Sequence, residues 1–394
     1  MNNVTPSRNP KRRSPYQINR RFQGQLLILL TMGCAVVFLV LGLLIPDRDF
    51  SDTENRSLTQ FPKPTVSNVL DGSFLEALGD YTADQFPARD FWISLNLKMN
   101  RFLGQKEANG VYLCDDGTLI QIPDTPNWEQ TERNLAAAER FAGAYPDLRM
   151  VMTIVPNAAT IDADKLPANA PVRDQLADLA QIRSKLENVT FCDVTDTLME
   201  HKDEYLFYKT DHHWTSLAAK YAVYAMAEDL NIPIIAEDAY TVYPVSNTFE
   251  GTLSSKSGSH AALDSVEIYV PKASVDYYVT YPDGRDVSSL YHREALNQKD
   301  HYTLFFGGNY SRLDITTTAD TGRCLLLFKD SYANCAVQFL FPYYDHITII
   351  DPRYYYDNVD LVIKTESITD VLFLYNLDTF LNDTSLADVL LVEE

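Results

Sequence analysis

Three short stretches of the sequence carry side chains that can do chemistry together: Asp211 and His213 in TDHHWT, Ser331 in LLLFKDSYAN, and Asn376 in DVLFLYN. A serine hydroxyl is a weak nucleophile until a base takes its proton, and an imidazole base needs a partner that fixes its tautomer. In extended chain, residues i and i+2 point the same way. Asp211 and His213 are therefore expected to face one side, with His212 turned away and Trp214 packed beneath the loop. Ser331 follows an apolar, strand-like run and precedes a helix-like one. Its hydroxyl is expected at the strand mouth, near helix N–H groups whose dipole favours a developing oxyanion. Asn376, also at a strand end, offers an amide to the same charge.

Blander readings compete at each stretch. Asp330 or Ser331 can simply cap a helix, as can the residues before Thr215. The Asp-His-His run can also be a metal cluster, as in the DHH phosphoesterases. Those proteins need further Asp-rich motifs upstream, which this chain lacks, and adjacent histidines seldom share one ion. No metal and no cofactor is expected.

Side chains so far apart in sequence need a rigid frame. Arg149–Pro156 (RMVMTIVP), Cys324–Phe328, Ile347–Ile350 and Val371–Tyr375 are continuous apolar runs, the signature of parallel strands buried on both faces. Helical patterns lie between them, at 128–145, 172–186, 215–230 and 332–341, with a short strand at 189–194. This alternation implies an α/β fold with a mostly parallel sheet covered on both faces. Ligands bind such sheets beyond the strand C-termini, where Ser331 and Asn376 fall. Residues 70–103 read as helical with a break at Phe86-Pro87, and 111–121 as a hairpin turning at Asp116-Gly117. From about 231 to 318 the chain is Tyr-, Thr- and Val-rich without helical period, and reads as a β-rich insertion.

The chain has 394 residues and a net charge of −21. Such acidity argues against binding nucleic acid, whose phosphates need Lys and Arg. The charge is uneven. Residues 1–24 carry Arg8, Lys11, Arg12, Arg13, Arg20 and Arg21 and no acid, leaving 27 basic against 54 acidic side chains beyond them. Leu26–Ile45 then runs without a charge, and about 1.5 Å per residue makes it about 30 Å long, the thickness of a bilayer core. The basic side is expected to stay in the cytoplasm, placing 46–394 outside. Ile45-Pro46-Asp47 is not a small-residue cleavage site, so an uncleaved single-pass anchor is expected. The expected organisation is a basic tail (1–24), a membrane anchor (26–45), a Ser/Thr/Pro-rich stalk (46–70) and one large domain (71–394). The five cysteines have no metal-site spacing and read as free thiols.

The residues also resemble a known family. TDHHWT at 210–215 and KDSYAN at 329–334, supported by ENRSL at 54–58, GTL at 251–253 and DPRYY at 351–355, are similar to the DHHW proteins. These are bacterial membrane-anchored relatives of the alginate O-acetylation proteins, within the wider SGNH-hydrolase-like group. The resemblance implies a three-layer SGNH-like sheet with a permuted chain order, the Asp/His pair preceding the serine. It implies Ser331 as nucleophile, His213 as base and Asp211 as its orienting carboxylate, with Trp214, Asp330 and Arg353 in support. Asn376 is the implied oxyanion donor, with Gly308 and Asn309 of Gly307-Gly308-Asn309 beside it or in its place. The motif reads KDS where SGNH enzymes usually have GDS.

The implied activity is O-acyl, chiefly O-acetyl, transfer onto a cell-wall or secreted polysaccharide, with acyl groups delivered by a membrane-bound O-acyltransferase. An esterase using the same three residues, and a non-catalytic partner of the membrane enzyme, are the alternatives. The acidic outer part is easier to reconcile with a neutral or amino-sugar polymer than with a strongly anionic one.

Overall fold

A computed structural model describes residues 15–233 and 236–391. Arg8, Lys11, Arg12 and Arg13 of the basic segment lie outside the described residues. The chain divides into two units between Asn96 and Leu97, beyond the 70/71 boundary that composition suggested.

In the first unit, helix α1 (Pro15–Leu44) contains one stretch, Phe22–Leu44, long and apolar enough to cross a membrane, and none of it is buried. The 46–70 segment holds a two-residue strand pair, Phe50–Ser51 with Arg56–Ser57, and its charges find partners. Arg56 grips Asp84 through two N–H···O contacts of 2.9 and 2.5 Å, and Arg89 binds Glu54 at 2.5 and 3.1 Å. Such forked guanidinium–carboxylate pairs fix geometry as well as charge. Phe38 of α1 packs on Phe86, ring centres 5.0 Å apart.

The second unit is built on an eight-stranded sheet. Its strands, in chain order, are β1 (Arg149–Val155), β2 (Thr190–Phe191), β3 (Tyr277–Thr280), β4 (Asp286–Val287), β5 (Arg312–Thr317), β6 (Cys324–Lys329), β7 (His346–Ile350) and β8 (Asp370–Asn376). Across the sheet they run β4-β3-β5-β7-β6-β8-β1-β2. The five strands from β7 to β2 are parallel, whereas β5, β3 and β4 are added antiparallel at the β7 edge. The sheet is thus mixed, with five of its eight strands parallel as expected and three antiparallel strands added at one edge. Helical crossovers return a strand parallel, whereas short turns return it antiparallel, and between its strands the 277–317 stretch holds only turns and short 3-10 pieces. The supposed insertion is therefore partly sheet. Its remainder includes a separate antiparallel ribbon, Tyr240–Phe249 with Asp264–Pro271.

The apolar runs are continuous because alternate residues enter different layers. Leu325 and Leu327 join one core while Leu326 and Phe328 join the other, and Leu372 and Leu374 are set against Val371 and Phe373 in the same way. Helix α2 (Trp128–Ala144), helix α4 (Val359–Thr365) and helix α5 (Leu377–Asn382) contribute to the second core. Helix α3 (Ser216–Met226) covers the first. Three layers result, and the C-terminal ends of β1, β6 and β8 open side by side. All five cysteines are free.

Candidate functional site

Ser331 sits where β6 ends. Asp330 before it turns the chain: one carboxylate oxygen accepts from the Tyr332 N–H at 2.9 Å and the other from the Asn376 N–H at 3.0 Å. That single side chain ties the mouths of β6 and β8 together. The helix expected over 332–341 begins as a 3-10 turn, Ser331–Cys335, and continues as a short α-helical turn at Val337–Leu340. Asp330 already takes the Tyr332 N–H, so a long helix dipole does not support this hydroxyl.

Asp211 and His213 come together differently from the extended arrangement expected. Residues 209–213 bend tightly, and the Asp211 carboxylate accepts the backbone N–H of His213 at 3.0 Å, an Asx-type turn. The same oxygen accepts from His213 Nδ1 at 2.5 Å, and His213 Nε2 lies 2.7 Å from Ser331 Oγ. With Nδ1–H held by the carboxylate, Nε2 presents its lone pair to the hydroxyl. The three side chains form a continuous donor–acceptor chain.

Residues that the sequence reading left without a role build the seat of Asp211. Its second oxygen accepts from the Thr252 N–H at 2.7 Å and the Thr252 hydroxyl at 2.9 Å. Gly251 allows this approach, since a Cβ there would overlap the Asp211 side chain. Thr210 donates to the buried Asp264 and accepts from the Gly251 N–H at 2.9 Å. Burial alone would raise the Asp211 carboxyl, but the two adjacent imidazoles and the hydrogen bonds from His213 and Thr252 outweigh it, holding the group far below the ordinary range. A fixed anion is what an imidazole base needs behind it.

Tyr302 backs the imidazole. Its ring stacks on His213, centres 3.7 Å apart and planes 12° apart, and its hydroxyl donates to the Ser331 carbonyl at 2.8 Å. Trp214, wholly buried, donates its indole N–H to the Tyr332 carbonyl at 2.8 Å and lies against that ring. Tyr332 returns a hydrogen bond to the His212 carbonyl at 2.6 Å. His212 does not turn away as expected. Its ring leans on His213 and its Nδ1 meets the Thr252 hydroxyl at 2.8 Å.

Ligand atoms of Asp211, His212 and His213 lie within 4.8 Å of one another. Both nitrogens of His213 and both oxygens of Asp211 are already engaged by protein partners, an arrangement that suits proton transfer better than ion binding.

The oxyanion candidates are less concentrated. Asn376 donates one amide hydrogen to Asn157 Oδ1 at 2.9 Å, and its own carbonyl caps α5 through the Asp378 N–H. Asn309 turns its amide oxygen to Lys329 Nζ at 2.8 Å and to Asn334 at 3.2 Å, so the Gly308-Asn309 turn is tied to the lysine beneath the serine loop. Lys329 itself is buried beside Asp351, which Arg353 grips at 2.8 and 2.6 Å. Burial first, opposed by the Asp351 charge, brings the Lys329 ammonium down to about 8. Asn157, past the end of β1, was missed. The strand-end rule that singled out Asn376 would have found it.

The family model described as DHHW protein matches residues 144–350. A DHHW family protein from Eubacterium siraeum is 24% identical, aligning over 73% of this chain and 98% of its own with a TM-score of 0.63. Bacillus cereus PatB1, solved with a sulfonyl adduct, is 23% identical over 70% of this chain and 97% of its own, TM-score 0.59. The O-acetyltransferase domain of Pseudomonas putida AlgJ is 16% identical over 71% and 95%, TM-score 0.46. No curated protein matches the chain. The first two likenesses establish a shared SGNH-like α/β fold around a mixed sheet.

Proposed function

The chain belongs to the DHHW family, and on that premise we propose that it transfers O-acyl groups, chiefly acetyl, onto a polysaccharide outside the cell. The observation that carries this reading is the unbroken Asp211–His213–Ser331 relay, with links of 2.5 and 2.7 Å.

In this reading His213 Nε2 takes the proton of Ser331 as Oγ attacks the acyl carbonyl. The tetrahedral oxyanion is held by donors from Asn376, or from the Gly308-Asn309 turn. Collapse expels the donor's leaving group, which takes the proton back from His213, and leaves an acyl ester on Ser331. A sugar hydroxyl then gives its proton to His213, attacks the ester and departs acylated, restoring the serine. Asp211 stabilises the imidazolium in both halves without accepting the proton. Asp330 holds together the strand ends that carry the serine and the amide, and Arg353 holds Asp351, the acid beside Lys329. Leu26–Ile45 anchors the chain, with the N-terminus in the cytoplasm and 46–394 outside, where a membrane-bound O-acyltransferase supplies acyl groups.

The test is the full chain in nanodiscs, given p-nitrophenyl acetate with and without a chitooligosaccharide. Mass spectrometry is expected to find O-acetylated sugar. Free acetate alone, unchanged by the sugar, would point to an esterase. Turnover equal in wild type and Ser331→Ala would leave a non-catalytic partner.

A further inference from the structure

The first unit leaves an apolar face uncovered. Phe86 is 40% exposed, and Phe91, Trp92 and Leu95 of the helix Arg89–Phe102 are 59%, 41% and 38% exposed. At about 100° per residue the last three lie on one side of that helix. Asp90 lies on another side, paired with Arg48 at 2.9 Å, and Ile93, away from the exposed three, is half-buried. The exposed rings are therefore surplus to the packing of the unit, and the nearby charges are turned from them. Large apolar side chains gathered in one patch mark a surface that is covered in use.

Their position says what covers them. The ring of Phe38 in α1 lies 5.0 Å from that of Phe86 and 5.9 Å from that of Trp92, centre to centre. Phe38 stands six residues before Leu44, the end of the apolar stretch Phe22–Leu44. At about 1.5 Å per residue, that is about 9 Å inside the end of the stretch. Rings that touch Phe38 stand at a similar depth. Once the stretch spans a bilayer, Phe86 and Trp92 are surrounded by lipid rather than water, within the roughly 5–10 Å to which interfacial helices sink their apolar side. Tryptophan suits that level, with an apolar ring and one polar N–H. Here the indole N–H donates to the Pro87 carbonyl at 3.2 Å, so no unpaired donor enters the acyl chains.

We propose that Phe86 and the start of the helix Arg89–Phe102, with Phe91, Trp92 and Leu95, sink into the lipid leaflet at the Leu44 end of the span. This gives the first unit a second, interfacial hold on the membrane. The proposal rests on the reading of α1 as a membrane anchor. A single helix leaves the segment after it free to swing; two holds fix how the first unit stands on the bilayer.

The full chain is placed in phosphatidylcholine nanodiscs whose lipid carries bromine either high on the acyl chain, near the glycerol, or at its methyl end. Bromine quenches indole emission at short range. The chain has three tryptophans, so the Trp92 signal is the difference between wild type and Trp92→Phe. At an interfacial depth, high-placed bromine is expected to dim that signal at least about twofold, and end-placed bromine by less. Leu95→Trp in the wild-type chain should add emission that is dimmed in the same way, a reading that does not need Trp92→Phe to fold. Met32→Trp, near the middle of the span, reports on the anchor itself, and its added emission should be dimmed most by end-placed bromine. Undimmed Trp92 and Leu95→Trp signals beside a dimmed Met32→Trp signal overturn this inference and leave the anchor standing. That holds whether acrylamide reaches Trp92, as on an open face, or not, as under a second protein chain. An undimmed Met32→Trp signal removes the anchor, and this inference with it.

Discussion

Ser331 Oγ and His213 Nε2 lie 2.7 Å apart although 118 residues separate them in the chain. The approach depends on three local devices: the Asp330 turn at the end of β6, the Asx turn at Asp211, and the Thr252 hydrogen bonds that hold that carboxylate. The Asp211 carboxylate and the Thr252 hydrogen bonds behind it can each be tested by substitution.

Removing either end of the contact should abolish the relay without unfolding the protein. Ser331→Ala and His213→Ala are expected to lower acetyl transfer by about 10³-fold or more, and Asp211→Asn by about 10⁴-fold, because the amide favours the wrong imidazole tautomer. Initial rates with p-nitrophenyl acetate check this, alongside thermal melts. Full activity in all three variants would remove the relay from the mechanism.

Gly251→Ala puts a methyl group into the Asp211 side chain. The carboxylate must move, so transfer should fall at least about tenfold, with a stability loss of about 1–3 kcal/mol from overpacking. Thr252→Val keeps the backbone N–H bond to Asp211, removes the hydroxyl's links to Asp211 and to His212 Nδ1, and should cost about 1–2 kcal/mol. Urea unfolding separates the two. A Gly251→Ala protein with wild-type rates would show that the close approach does not matter.

Tyr302 does two things that two variants distinguish. Tyr302→Phe keeps the face against His213 and loses the hydrogen bond to the Ser331 carbonyl, so a fall of a few-fold in kcat is expected. Tyr302→Ala loses the stack as well and opens a cavity, costing about 3 kcal/mol in stability, with a much larger fall in kcat. Identical kcat values for the two variants would count against stacking as a positioning device.

Asp378 supplies a pH signature. Burial first, and the charge of Asp124 second, push its carboxyl up to about 7, with Asp178 adding to the rise. Arg173, whose own charge is held up chiefly by Asp178, is the cation facing this group. The unfolded chain ionises the same group near about 4. Between these values the folded state holds the extra proton, so this group's contribution to stability falls as pH rises from about 4 to 7 and stays low above that. Asp378→Asn cannot ionise and keeps the partner of Asn157. Its stability relative to wild type should be flat below pH 4, climb to pH 7 and level off, by up to about 4 kcal/mol. Melting curves from pH 4 to 8.5 test the shape; a constant offset would contradict it.

Strands β1, β6 and β8 were legible because both faces are buried, which leaves an apolar residue at nearly every interior position. Ser331 and Asn376 followed from the rule that parallel strands end at ligands. The antiparallel edge was not legible, since β3 and β5 alternate with irregular turns and their partners are set only by the folded sheet. The GTL motif stood out as letters, but its purpose appears only when Thr252 meets Asp211 across 41 residues. Tyr302 carried no signal among 24 tyrosines. Stacking on an imidazole is a tertiary fact. The ion pairs of the 46–70 segment, Arg56 with Asp84 and Arg89 with Glu54, were not legible either, because two of the partners lie beyond it in the chain.

The most direct measurement is covalent capture of the hydroxyl. An aryl sulfonyl fluoride forms an Oγ–S bond as the S–F bond breaks, fluoride leaving and the serine proton passing to the base. Intact mass and peptide mapping of the full chain should find one adduct per chain, on Ser331, absent in Ser331→Ala and formed at least about tenfold more slowly in His213→Ala. Labelling that settles on another residue, or proceeds at the same rate without His213, would contradict an activated serine at this site.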